Sequence, residues 1–311
     1  YGQRKIRTPE MDAMAEEGIR FTDFYAGSTV CAPSRWALMN GVHMGHSYVR
    51  GNGAPPLRAE DRTVAELFRE AGYATGMYGK WGLGTEGTSG APQRQGFDAF
   101  TGYLRHVAAH EYYPDSVFTL RDGNLRAEYL EEGTYSHDLF ADRALEFVRD
   151  HREEPFFLYL PFTIPHAELA VPASSKNQYM NEDGESLLLP DQPFPCCGVI
   201  GTYDGQEHPH AAFAGMVSRL DRDVGRLLDS LRAYGIDDRT LVLITSDNGP
   251  HVEGGADPGF FDSNGPFRGL KRDLYEGGIR VPMIAWGPGF VPSGRVSDHP
   301  WAMWDLLPTL T

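Results

Sequence analysis

Three short apolar runs constrain this chain more than any other feature: Tyr73-Ala74-Thr75-Gly76-Met77-Tyr78, Pro155-Phe156-Phe157-Leu158-Tyr159-Leu160 and Thr240-Leu241-Val242-Leu243-Ile244-Thr245. Each follows a helix-patterned segment. Thr63-Val64-Ala65-Glu66 is a capping-box sequence opening a helix that Gly72 ends, and Ser136 to Arg149 and Ala211 to Ala233 carry helical periodicity. Strands that alternate with helices predict an α/β fold, a mostly parallel sheet with helices on both faces. In such sheets ligands gather beyond the carboxyl ends of the strands. Lys80, His166 and Asp247 each stand just past the end of one of these runs.

Nearer the start, Thr8-Pro9-Glu10 with Met11, Met14, Ala15 and Gly18 reads as a capped helix, and Ile19 to Tyr25 reads as one strand. Next comes Cys31-Ala32-Pro33-Ser34-Arg35, running into a helix-like stretch that Gly41 would end. Cys31 then lies at a helix N-terminus, where unpaired backbone N–H groups favour an anion. A lone cysteine there serves either packing or chemistry.

With 28 basic and 43 acidic residues among 311, the net charge is −15, which argues against a nucleic acid or an anionic membrane as the main partner. Any anionic ligand needs a local basic pocket in this acidic body. There is no apolar run near the roughly 18 residues of a transmembrane helix. The 3 cysteines, two of them adjacent at Cys196 and Cys197, make neither a disulfide framework nor a zinc site. The stretch 168–210, rich in Pro, Gly, Ser and polar residues, reads as a surface insertion within one domain spanning 1–311.

Five segments stand in a telling order: Cys31-Ala32-Pro33-Ser34-Arg35, Gly79-Lys80-Trp81-Gly82-Leu83-Gly84, Pro165-His166, Ser246-Asp247-Asn248-Gly249-Pro250, and Gly269-Leu270-Lys271 with Glu276-Gly277-Gly278-Ile279-Arg280-Val281-Pro282. In order and rough spacing they resemble the motifs of the type I sulfatases, in the alkaline phosphatase superfamily. The resemblance spans nearly the whole chain, and five motifs in sequence are far more specific than one.

The resemblance implies hydrolysis of an organic sulfate monoester, of a sulfated small molecule or saccharide, to alcohol and sulfate. Such chemistry needs an in-line nucleophile, positive groups around the sulfuryl oxygens, and an acid for the departing alcohol. It implies that a formylglycine-generating enzyme oxidises Cys31 to formylglycine, that Arg35 orients that residue, that Lys80 and Lys271 clamp the sulfate, and that His166 protonates the leaving oxygen. It also implies Ca²⁺, or another divalent ion, on Asp247 and Asn248, whose hard oxygens suit that metal. In the family, two adjacent aspartates of a first strand complete the site, and here that strand would precede Tyr1. Arg280 is a further candidate for the basic pocket, and Arg50 or Asn52 for a sugar ring or carboxylate.

One position departs from the pattern: many sulfatases carry histidine where this chain has Gly82. His110, in a polar and aromatic stretch, is the first candidate to replace it. Both ends look truncated, with a signal peptide and a C-terminal subdomain outside the chain, so the location expected is periplasmic or secreted. The 311-residue chain alone is therefore expected to bind calcium poorly and to release no sulfate, which a sulfate-release assay checks. The rival readings are a phosphonate monoester or phosphodiester hydrolase of the same superfamily and a catalytically inactive binding homologue.

Overall fold

The structure, a computed structural model, describes residues 2–196 and 203–311; Tyr1 and Cys197 lie outside the described residues. In chain order its elements are α1 (Pro9–Glu17), β1 (Ile19–Phe21), β2 (Phe24–Tyr25), α2 (Cys31–Asn40), α3 (Val64–Glu70), β3 (Ala74–Lys80), β4 (Ala99–Tyr103), β5 (Ser116–Arg121), β6 (Asn124–Tyr129), α4 (Ser136–Asp150) and β7 (Phe156–Tyr159). There follow α5 (Ala173–Lys176), α6 (Pro209–Tyr234), β8 (Val242–Thr245), α7 (Pro258–Phe261), α8 (Glu276–Ile279), β9 (Met283–Trp286), β10 (Arg295–Ser297), β11 (Trp301–Ala302) and α9 (Leu306–Leu310).

Successive strand residues point to opposite faces, and that alternation builds the layers. On β7, Phe157 and Tyr159 pack against one core with Met77, Trp36, Ala37, Met39, Val64 and Ala65, so α2 and α3 cover that face. Phe156 and Leu158 turn the other way, toward Tyr78, Phe140, Ala144 and Phe147 of α4. They also join Met14, Val148, Leu228, Leu231, Ile284 and Trp286, which bring α1 and α6 onto the same side. Helices therefore cover both faces, as the alternating pattern predicts.

Among the described residues the strands form sheets ordered β6-β5-β4-β3-β7 and β10-β1-β9-β8, with β11 beside β2. β3 runs parallel to β4 and β7, with Lys80 opposite Tyr103 and Ala74 opposite Phe156. β8 and β1 instead pair antiparallel with β9, and β4, β5 and β6 form an antiparallel series. The sheet is thus α/β but mixed in direction. In the first of these sheets the parallel pairs are β4–β3 and β3–β7, while the hairpin of β5 and β6 extends it antiparallel; in the second, the 246–282 segment reverses the chain between β8 and β9.

The local signals fold as their chemistry requires. Thr63 and Glu66 make both halves of the capping box that opens α3, and Gly41 ends α2 in the left-handed region at φ 64°, its N–H reaching Ala37 O. The strand expected from Ile19 to Tyr25 is broken at Thr22 and Asp23, because β1 pairs with β9 and β10 while β2 pairs with β11. Within 168–210, Tyr179 is buried against Ala211 and Ala214 of α6.

Two glycines set how closely the site-bearing strands approach. A Cβ on Gly102 would stand 1.8 Å from Gly79 O, and one on Gly79, at φ +131°, would stand 2.4 Å from Pro161 O. Gly102→Ala should cost about 1–3 kcal/mol or more by prising β4 from β3 just before Lys80. Gly51→Ala, with nothing within 4 Å of its Cβ, is the matched control. Chemical denaturation should show a lower midpoint for the first and little change for the second; equal stability of the two would contradict this packing.

Candidate active site

Residue 31 opens α2, so its side chain shares a helix face with Arg35 one turn on. Cys31 is buried, 3% exposed, and its thiol donates to Asn248 Oδ1 at 3.6 Å. Arg35 donates from Nε to Asp247 Oδ2 at 2.8 Å and from Nη1 to the carbonyl of Lys80. One guanidinium thus ties α2 to the end of β3 and to the loop after β8. That loop lies backbone to backbone on the segment at 277–278: Gly249 N–H reaches Gly278 O at 3.0 Å, and a Cβ on Gly249 would meet Gly277 O at 2.0 Å.

Lys80 ends β3 and is 4% exposed. Burial lowers its pKa, and Arg35 and Lys271 lower it further, against the opposing pull of Cys31 and Asp247. Asp247 shows the complementary effect: burial disfavours its charge, yet Arg35, Lys80 and Lys271 outweigh burial and hold the carboxyl below its usual range.

On the other side of the pocket, His166 follows β7 past the Ile164-Pro165 bond. Its Nδ1–H donates to Ala167 O at 2.7 Å, which fixes the neutral tautomer and leaves Nε2 to accept from Lys271 Nζ at 2.6 Å. Burial, then Lys271, His251, Lys80 and His110, hold His166 well below the ordinary imidazole range. His110 and His251 sandwich it, with ring centroids 4.5 and 4.7 Å away. Glu253, 1% exposed, anchors this side: it lies 2.9 Å from His251 Nδ1, 3.7 Å from Lys271 Nζ and 2.6 Å from Arg272 Nη2. Burial opposes its charge, but His251, Lys271 and Arg272 prevail and keep the carboxyl well below the ordinary carboxylate range.

The structure therefore brings Cys31, Arg35, Lys80, Asp247 and Asn248 together, and joins His166 to Lys271 beside them. His110 lies on the histidine stack, its Nδ1 3.5 Å from the Tyr203 hydroxyl, and burial with Lys80 and Lys271 lowers its pKa to about 4. It is His106, not His110, that meets Gly82: a Cβ at 82 would stand 2.4 Å from His106 Cε1. Arg280 is turned elsewhere, paired with Asp23 and Glu276 and stacked on Phe267. Arg50 is exposed and donates to Ser47 O at 2.9 Å. Asn52 accepts from Ala32 N–H at 3.0 Å, next to Cys31.

Sequence reasoning did not single out His251, Glu253, Arg272 or His106. His251 directly follows Asn248-Gly249-Pro250 and Glu253 stands two residues further on, so nearness to that motif was the available signal. His106 follows β4, a strand no apolar run announced.

As a metal site, Asp247 and Asn248 offer the hard oxygens that calcium prefers, but a calcium ion takes roughly six to eight. Among the described residues no three His, Cys, Asp or Glu side chains are grouped to hold a metal. The pair fits such an ion by donor chemistry and would supply part of its shell.

Known proteins share this arrangement of chain. The chain is 29% identical to N-acetylgalactosamine-6-sulfatase of Canis lupus familiaris over 344 residues, covering 99% of the chain and 58% of that protein. It is 31% identical to arylsulfatase A of Homo sapiens over 354 residues, covering 100% of the chain and 60% of the relative. The chain thus spans less than two thirds of these relatives. Among solved structures, Ps i-CgsB in complex with k-i-k-neocarrahexaose matches with TM-score 0.78 at 28% identity, over 99% of this chain and 66% of that one. The sulfatase family model matches residues 1–311. A match that begins at the first residue and ends at the last leaves no part of this fold outside it, and the chain belongs to the sulfatase family.

Proposed function

We propose that the protein is a sulfuric ester hydrolase that cleaves a sulfate monoester, carried on a sulfated carbohydrate, to alcohol and sulfate. The observation that carries this reading is the meeting of a buried thiol with Asn248 at 3.6 Å inside a ring of cations from three distant parts of the chain. Arg35, Lys80 and Lys271 outnumber Asp247 and Glu253 there, and such an excess in a desolvated pocket suits an anion. The relatives named above for sulfated sugars and aryl sulfates support the substrate class.

Oxidised to formylglycine by the modifying enzyme, position 31 would supply the attacking oxygen, as a hydroxyl of the hydrated aldehyde, and would take the sulfuryl group before releasing it as sulfate. Arg35 holds that position against Asp247. Lys80 and Lys271 bind sulfuryl oxygens and favour the charge that develops on them as the S–O ester bond breaks. The departing oxygen takes a proton from the Lys271–His166 pair, where His166 keeps one proton at Nδ1 and shares a second with Lys271 at Nε2. Asp247 and Asn248 would hold calcium beside the sulfate, their hard oxygens forming part of its shell. A periplasmic or secreted location belongs to the same reading; among the described residues no helix is long and apolar enough to cross a membrane.

Three outcomes follow. Coexpressed with the oxidising enzyme, the full-length protein should yield a Cys31 peptide that mass spectrometry identifies as an aldehyde, and an intact thiol would favour a binding homologue. Turnover of an aryl sulfate should exceed that of the matching aryl phosphonate; the reverse order would make the protein a phosphonate hydrolase. Finally, His166→Ala should slow an alkyl or sugar sulfate by roughly 10²–10⁴, and slow 4-nitrophenyl sulfate much less, because a good leaving group needs little protonation. Equal losses on both substrates would remove His166 from proton delivery.

A further inference from the structure

One imidazole of the pocket has no side-chain hydrogen-bond partner among the described residues. His106 lies three residues past β4, where the parallel pairing with β3 runs on: Trp81 N–H reaches Tyr103 O at 2.9 Å, and Gly82 N–H reaches Leu104 O at 3.3 Å. The ring is thereby delivered beside Lys80. Its Nδ1 and Nε2 are both shielded from solvent; neither meets full hydrogen-bond geometry with a described residue, and the polar group that acts on the ring at hydrogen-bonding range is the Gly82 backbone, which leaves at least one ring nitrogen unpaired. The other imidazoles here are engaged: His166 with Ala167 and Lys271, His251 with Pro165 and Glu253, and His110 with Tyr203.

A neutral imidazole carries one donor and one acceptor, and burying either one unpaired is unfavourable unless something else fills the site. The surroundings say what would fill it. Burial first, then Lys80 and Arg35, lower the His106 pKa from 6.5 to about 3, against Asp247 and the Gly82 backbone. The ring is therefore neutral at neutral pH, among cations with no charge of its own to repel. Gly82 makes its position available: at φ +77° it has no Cβ, and one would stand 2.4 Å from Cε1 and 3.0 Å from each ring nitrogen. The imidazole occupies the volume that any side chain at 82 would need.

We propose that His106 is a ligand-facing residue of this pocket, its neutral imidazole donating a hydrogen bond to an oxygen of the anion held by Lys80 and Arg35. The identity of that anion as a sulfate rests on the function proposed above. His106 comes from the segment after β4, whereas Lys80 comes from β3, Arg35 from α2 and Asp247 from the loop after β8, so a separate part of the chain brings it to the pocket.

The test is a titration of the full-length protein, its Cys31 unmodified and calcium present, with inorganic sulfate, followed by NMR of the histidine ring nitrogens and lysine ammonium groups. The His106 ring signals should shift and saturate together with those of Lys80. His106→Ala should weaken sulfate binding roughly ten- to a hundredfold, and His106→Gln, which keeps an N–H donor, should recover part of the loss. If the Lys80 signal saturates while His106 stays unmoved, or if His106→Ala binds sulfate as the parent does, the inference is overturned and the anion pocket stands without it. If neither residue responds, the sulfate reading of the pocket falls together with this one. Should His106→Ala fail to fold, the parent's own titration and His106→Gln still decide.

Discussion

The ion pair between Arg35 and Asp247 is the contact on which the pocket's assembly depends. It joins residues 212 apart in sequence, with side chains only 8% and 22% exposed. Because the same guanidinium also holds the Lys80 carbonyl, it fixes the ends of β3 and β8 relative to α2 in a single step. Removing one partner of such a buried pair costs about 3–5 kcal/mol, since the other charge is left desolvated and alone. Cys31, one helical turn before Arg35, inherits its place from this anchor. Its approach to Asn248 is a consequence of where Arg35 meets Asp247.

Electrostatics on the far side of the pocket run through histidines kept neutral. Burial and the nearby cations depress His110 and His166, so these two imidazoles stack without mutual repulsion. Neutral rings also leave Lys271 as the charged member of the pair, with its proton directed at His166 Nε2. The linkage to stability has a definite sign. The unfolded chain binds protons on these histidines below about pH 6.5, while the folded chain takes one on His110 only near pH 4. Their contribution to stability is therefore complete above that range and is lost as the pH falls through it. A body of charge −15 surrounds this cationic pocket; at contact distance the desolvated cations outweigh a field that solvent and salt screen.

How much of this was legible beforehand depends on whether a feature is local or assembled. The runs that became β3, β7 and β8 are apolar enough to read directly, and Lys80, His166 and Asp247 follow from the rule that ligands gather past strand ends. The hairpin of β5 and β6 was invisible because β6 is largely exposed and its sequence, Asn124-Leu125-Arg126-Ala127-Glu128-Tyr129, carries little apolar signal. Missing it hid the path of β4, and with it the distinction between His106 and His110. Both stand in the same polar stretch, four residues apart, yet one rests on Gly82 and the other stacks on His166. No periodicity encodes that difference; the turn after Tyr103 decides it. Arg280 failed as a pocket residue for a related reason: two carboxylates, Asp23 and Glu276, lie within its reach and claim it.

Where an anion and a cation come to rest in this protein decides whether the pocket is a sulfatase site. A crystal structure of the full-length protein grown with calcium and sulfate should place the metal on Asp247 and Asn248, and the sulfate between Lys80 and Lys271 with an oxygen turned toward position 31. A sulfate bound elsewhere, or a metal that ignores both side chains after β8, would contradict it.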